Sequence, residues 1–487
     1  MLKVGTWVIL VMMFTLNARA QRVFSEQRGR IENVTEPYLS SSKEGIRKVG
    51  STATAPLTCI GSPKVPVILV QFADLSFTVA TNDDEINILY HNFFNAKEGV
   101  HPADNVCSVR EYFRNNSDGK FSPEFDVIGP VTLSQNYAYY GEDSKYGSKD
   151  IHINELYQEA CKAAKTGSDK DWSQYDNNND GKVDIVFFIY AGQGQNQQGA
   201  PDNTIWPKES TSSLTVKSEG VSVSFAAYGC TCELLFNQMD GIGSCIHELC
   251  HGIGLPDFYD TNEYAYGLDY WDVMDSGCYK SGGRAPVELS AYERDFFGWR
   301  QLVELNPDEA YSLTLQPMEK GGVGYKVVNK ANLNEYFILE NRQNIGLDMY
   351  IGWQIDYQQQ IYGWNHGLMI THVDYNATSW RTNKVNTSRY HQRITLVPAD
   401  GELITSIKQD DLQADEEWTD AWAQSQHGDL YPGDDNVTEM SSYSVFRGGT
   451  LEQTIDNIVE HQNGVITLDI NGGNPEGVRE PDVPEIA

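Results

Sequence analysis

The chain has 487 residues, with 36 basic against 68 acidic side chains and a formal net charge of -32. That length allows two or three domains. A surface so acidic repels phosphate backbones, which argues against nucleic-acid partners, and it suits a protein offering oxygen ligands to hard cations.

The N-terminus, "MLKVGTWVILVMMFTLNARAQ", has Lys3 ahead of an apolar run from Val4 to Leu16 and then Ala18-Arg19-Ala20, a small-x-small cleavage pattern. The run is too short to span a bilayer, so residues 1–20 are predicted to be a cleaved signal peptide. No cysteine follows the cut and no later segment is apolar enough to cross a membrane, so a secreted or periplasmic monomer without a membrane span is expected. Residues 21–61 are polar, with "YLSSSKEGIRKVGSTATAPL" reading as linker, and are predicted to be a propeptide or leader.

From residue 62 to 300 strands alternate with helices. "KVPVILVQF" opens a buried strand, and "EINILYHNFF" sets Ile86, Leu89, Tyr90, Phe93 and Phe94 at helical spacing. "IHINELYQEACKAAK" repeats that spacing, and "VDIVFFIYAG" is a continuous apolar strand of the kind buried on both faces. An α/β layer follows from this order.

Just before that strand, "YDNNNDGKVD" puts Asp176, Asn178 and Asp180 at positions 1, 3 and 5, with Gly181 for the sharp turn. The carbonyl of Lys182 and the carboxylate of Asp184 fall at positions 7 and 9, the oxygen spacing of a calcium loop. Position 12 is Phe187 instead of the expected glutamate, so a structural calcium clip is predicted, with an Asn-rich turn as the rival. "AGQGQNQQG" is glycine-rich, but no helix pattern opens after it, which rejects a dinucleotide loop.

In "CIHELCHGIGLPDFYDT", His247 and His251 stand four apart and project on one side of a helix, where they can grip one zinc ion. Ile246, Leu249, Cys250 and Ile253 supply the packing face, so the short motif also fits a plain core helix. Gly254 and Leu255-Pro256 halt the helix and bring Asp257 under the same metal. Three ligands with an open fourth position are the arrangement of a catalytic zinc. Asp260 and Glu293 remain rivals of Asp257 for the third place. Glu248 is placed to act on the bound water as general base. "YWDVMDSG" follows, and Met274 in such a turn forms the apolar floor of metzincin sites. Tyr279 could hold an oxyanion, although a core aromatic is the preferred reading.

Beyond Trp299, "YSLTLQPM", "YFILENRQ", "GLMITHVDY", "RITLVPA" and "GVITLDING" are short strands between turn residues. An all-β, sandwich-like domain over 301–472 is predicted, followed by a disordered tail at 473–487. All eight cysteines precede it, and an even number in an exported chain predicts disulfides, Cys59 included.

These segments together resemble the immune inhibitor A family of secreted bacterial zinc metallopeptidases. The likeness rests on "HELCHGIGLPDFYDT", "GLDYWDVMDSG" and "LSAYERDFFGW", with "VPVILVQFAD" and "YDNNNDGKVDIVFFIYAG" before them and "EYFILENRQ", "GLMITHVDY" and "GDLYPG" after. The resemblance implies an α/β (α+β) metzincin-like zinc peptidase domain over 62–300, made with a signal and a propeptide and followed by a β-rich domain. It gives His247, His251 and Asp257 the zinc-ligand roles, Glu248 the catalytic role and Met274 the turn. The expected activity is an endopeptidase hydrolysing protein or peptide substrates through a zinc-bound water. The alternative is a non-catalytic binding or adhesion protein with a structural zinc. Intact Glu248 favours the enzyme.

Overall fold

The computed structural model describes residues 55–474, apart from 147, 167–170, 196–199, 211–213, 219–220, 236, 261–264, 351–353, 356–360, 363–365, 405–420, 423–424, 434 and 441. The predicted signal at 1–20, most of the leader and the tail beyond 474 lie outside the described residues.

The first layer is a seven-stranded sheet. Strand β1 (Lys64–Gln71) pairs in parallel with β2 (Glu124–Thr132) on one side and with β3 (Val183–Gln193) on the other. Strand β3 in turn pairs in parallel with the 15-residue β6 (Val221–Leu235), which carries antiparallel β4 (Lys208–Ser210), β5 (Leu214–Ser218) and β7 (Gln238–Met239). After its first residue β1 is wholly buried, as the apolar run predicts for a strand covered on both faces.

Because strand side chains alternate, β3 feeds two cores. Ile185, Phe187 and Ile189 face the larger core, while Val186, Phe188 and Tyr190 face a second one. The second core is roofed by helix α3 (Ile153–Thr166) through Leu156, Tyr157, Ala160, Cys161 and Ala164. The larger core takes Ile86, Tyr90, Phe93 and Phe94 from α1 (Asp83–Asn95) and Tyr112 and Phe113 from α2 (Val109–Asn116). Helix α1 starts where Asn82 accepts a hydrogen bond from the N–H of Glu85, and three acids in its first turn suit the helix dipole.

The expected disulfides are corrected here. No two cysteines are joined among the described residues, and all eight are buried. The sheet divides them: Cys161, Cys230 and Cys232 fill one core, and Cys59, Cys107, Cys245, Cys250 and Cys278 fill the other. They serve as small apolar side chains. Burial pushes the Cys107 thiol up to about 12 and that of Cys230 to about 11. Cys59, expected in a disulfide, instead directs its sulfur at the carbonyl of Phe297, 3.6 Å away.

After helix α5 (Ala291–Phe296) the chain becomes β-rich. A five-stranded sheet runs in the order β13-β12-β11-β10-β8, formed by Ile394–Leu396, Gly367–Asp374, Asn332–Arg342, Tyr325–Asn329 and Val303–Glu304. A three-stranded sheet of β14 (Ile455–Glu460), β15 (Ile466–Ile470) and β9 (Tyr311–Leu315) packs on it through Leu313, Phe337, Ile370 and Leu468. A short helix, α6 (Ala377–Arg381), interrupts the strands, so this half is β-rich and not purely β. The change of texture near residue 300 also does not mark an edge of the core. Tyr336 and Ile338 of β11 and Met369 and Val373 of β12 join the same large core as Phe296, Phe297 and Trp299. The reason is alternation again: the face of β11 turned away from Phe337 and Leu339 is itself apolar and needs cover.

Candidate metal centre

Helix α4 (Ile242–Gly252) carries the two histidines, and all but one of its residues are buried. Its first N–H, from Ile242, donates to the side-chain oxygen of Asn105 at 2.9 Å, which replaces a capping side chain that Gly241 lacks. Gly243 lets the helix press on a neighbouring turn, since a Cβ there would stand 1.8 Å from the carbonyl oxygen of Cys278.

The helix ends in a Schellman motif. Leu255 N–H donates to Cys250 O at 3.0 Å and Gly254 N–H to His251 O at 2.9 Å, with Gly254 at φ 110°. That turn does a second job: it aims the Leu255 carbonyl at His251 Nδ1, 2.7 Å away. His247 Nδ1 finds the carbonyl of Val273 at 2.8 Å. A carbonyl only accepts, so each Nδ1 carries a hydrogen, and in a neutral imidazole that leaves Nε2 as the nitrogen a metal would take.

Both Nε2 atoms converge on Asp257 Oδ1, at 3.2 Å from His247 and 3.1 Å from His251. His247, His251 and Asp257 are the one group of three His, Cys, Asp or Glu ligand atoms that converges among the described residues. Ligands about 2.0–2.1 Å from a tetrahedral zinc stand about 3.3 Å from one another, so the donor set and its spacing fit that ion. A tetrahedral ion held by these three donors would keep a fourth position for another ligand.

Glu248, next to His247, is completely buried on the same helix. Met274 is likewise fully buried in the turn below, whose backbone is tied to the ligand loop: Phe258 N–H donates to Met274 O at 2.9 Å. Two carboxylates that sequence reasoning did not single out shape that turn. Asp272 accepts from Met274 N–H at 2.7 Å, and Asp275 accepts from the N–H groups of Leu268 and Asp269. Burial pushes the carboxyl of Asp272 up to about 7.

Of the rival ligands, neither joins the converging group. Glu293 is spent in a capping box at the start of α5, accepting from Ser290 N–H at 2.6 Å, and Asp260 is buried elsewhere in the ligand loop. Tyr279 is buried in the large core.

The loop at 176–184 is closed on itself. Asp176 accepts from the N–H groups of Asp180 and Gly181, Asn178 from that of Asp180, and Asp180 from that of Lys182. Asp184 is buried beneath, bonded to Asn177 at 3.1 Å, and burial raises its carboxyl to about 6.

A family model described as immune inhibitor A peptidase M6, catalytic domain, matches residues 58–302, half of the chain. The chain belongs to the immune inhibitor A peptidase M6 family. Its matched segment runs from just before β1 to just before β8 and holds every residue of the converging site. Among relatives, the pre-pro-metalloprotease PrtV of Vibrio cholerae serotype O1, in two strains, is 27% identical over 311 residues, covering 56% of this chain and 33% of the relative. Immune inhibitor A of Bacillus thuringiensis subsp. alesti is 27% identical over 287 residues, covering 50% of this chain and 41% of the relative. The chain thus spans between a third and about two fifths of the length of these curated relatives.

Proposed function

We propose that this chain is an exported zinc endopeptidase in which His247, His251 and Asp257 hold the ion and Glu248 is the general base. The observation that carries the reading is the convergence of two Nε2 atoms and one carboxylate oxygen beside a glutamate on the same helix. Family membership supports it. Zinc, when bound, supplies a Lewis acid that polarises the scissile carbonyl and acidifies a water. Val273 O and Leu255 O hold the two imidazoles in register, and Asp257 balances part of the ion's charge. Glu248 accepts a proton as the water oxygen bonds to the carbonyl carbon, then delivers it to the amine nitrogen as the C–N bond breaks.

Three further assignments belong to this reading. Residues 1–20 act as an export signal and the following leader is removed, which agrees with a relative named a pre-pro-metalloprotease. The cysteines lend export no support. The Asp176 loop holds a structural calcium, with buried Asp184 as its inner carboxylate. The β-rich half is the companion of the peptidase segment, and among described residues no helix is long and apolar enough to cross a membrane.

The test measures zinc per chain and hydrolysis of a quenched peptide for Glu248→Ala. Retained zinc with activity down by roughly two to four orders of magnitude supports a positioned base. Full activity in that variant, or processed protein that never clears casein, refutes the peptidase reading.

A further inference from the structure

The third ligand of the converging site is gripped from the far half of the chain. Asn383 donates through Nδ2 to Asp257 Oδ2 at 2.5 Å and accepts from Asp257 N–H through Oδ1 at 2.6 Å. Both ends of one amide are therefore spent on one residue, 126 positions earlier in sequence. Asp257 Oδ2 is engaged by this bond while Oδ1 faces the imidazoles, which sets the carboxylate to offer a single oxygen.

The position of Asn383 is itself built. Asn376 caps α6, accepting from the N–H groups of Thr378 and Ser379. At the other end Lys384 N–H donates to Ser379 O at 2.8 Å and Asn383 N–H points at Trp380 O, the bonds of a second Schellman motif. Asn383 occupies its left-handed position at φ 54°, where glycine is the residue with least strain. Asparagine there costs backbone freedom to place an amide. Neighbouring groups hold α6 against the ligand loop: Asn386 Nδ2 donates to Phe258 O at 2.6 Å, and the Trp380 ring packs against that of Phe258.

We infer that Asn383 is a positioning residue for the metal, the means by which the β-rich half holds Asp257 in its coordinating orientation. Outer-shell partners of this kind alter metal affinity by about 10–100-fold when removed. The inference rests on Asp257 being a zinc ligand.

The experiment uses the full chain and compares wild type, Asn383→Gly, Asn383→Asp and Asp257→Ala in zinc competition against a chelating dye, with thermal melting of the zinc-free proteins beside it. Asn383→Gly deletes the amide but suits the left-handed backbone, so the zinc-free protein should stay folded at the assay temperature, melting lower only by the two lost hydrogen bonds, while its zinc Kd rises about 10–100-fold. Asn383→Asp keeps the acceptor for Asp257 N–H and sets a carboxylate against Oδ2, so zinc should weaken again. Wild-type zinc affinity in both Asn383 variants, with Asp257→Ala weakened, overturns the positioning role alone. Wild-type affinity in Asp257→Ala overturns the ligand assignment and the inference with it. A zinc Kd that rises in Asn383→Gly only as far as the fraction unfolded at the assay temperature accounts for means that the amide serves the scaffold, which also overturns the proposal.

Discussion

His247 donates through Nδ1 to the backbone carbonyl of Val273 at 2.8 Å, so helix α4 and the turn bearing Met274 meet at this histidine. Their spacing depends on Gly243, whose missing side chain admits the Cys278 carbonyl. Gly243→Ala should force helix and turn apart. A loss of about 1–3 kcal/mol, the usual cost of overpacking, is expected in urea denaturation, together with weaker zinc binding. Wild-type stability and zinc affinity would show that the contact does not set the site.

Met274 is fully buried, and its backbone carbonyl accepts from Phe258 N–H in the loop that carries Asp257. Met274→Leu conserves volume and should cost less than about 1.5 kcal/mol with zinc content unchanged. Met274→Ala leaves a void and should cost about 2–5 kcal/mol. Loss of zinc in a stably folded Met274→Leu would assign the sulfur a role beyond packing.

Glu293 and Asp257 separate by metal content. Glu293 is buried and bonded to Ser290 at the start of α5, so Glu293→Gln should leave zinc per chain as in wild type. Asp257→Ala should lose zinc and activity together. Metal analysis after dialysis reads both, and the reverse result would move the third ligand to Glu293.

Stability should fall with rising pH through buried acids, and Asp240 is one whose share can be isolated. Burial pushes the Asp240 carboxyl up to about 7, against about 3.9 in an unfolded chain. Between those values the folded state holds a proton that the unfolded state has released, so raising the pH favours unfolding by up to about 1.4 kcal/mol per unit. Asp240→Asn should gain stability relative to wild type between pH 5 and pH 8. Parallel urea midpoints across that range would remove Asp240 from the explanation.

Calcium should raise the melting temperature of the zinc-loaded wild type, because an ion bound only by the folded state stabilises it by mass action. Asp180→Ala should blunt that rise. Melting curves with calcium or a calcium-selective chelator, at constant zinc, measure it; equal curves for wild type would empty the Asp176 loop of its proposed ion.

The sequence by itself determined what local periodicity and turn chemistry encode. The i, i+4 histidines, the halt at Gly254 and the return to Asp257 all lie within eleven residues, so helix geometry and one left-handed turn place them. The continuous apolar runs of β1 and β3 and the helical spacing of α1 and α3 were legible for the same reason. Strand β6 was harder to read, because "VSVSFAAYGCTCELL" mixes glycine, serine and cysteine and blurs any alternation. Tertiary structure alone decided the rest. Which carbonyl fixes His247 depends on a turn 26 residues away, and which amide grips Asp257 on a helix end 126 residues away. Cysteine count invited disulfides, but a bond needs two sulfurs to meet, and the sheet sorts these eight into two separate cores. The shift to short strands after Trp299 marked a change of secondary structure. Only packing revealed that β11 turns its second apolar face onto the core that also takes Ile246, Leu249 and Cys250 of α4.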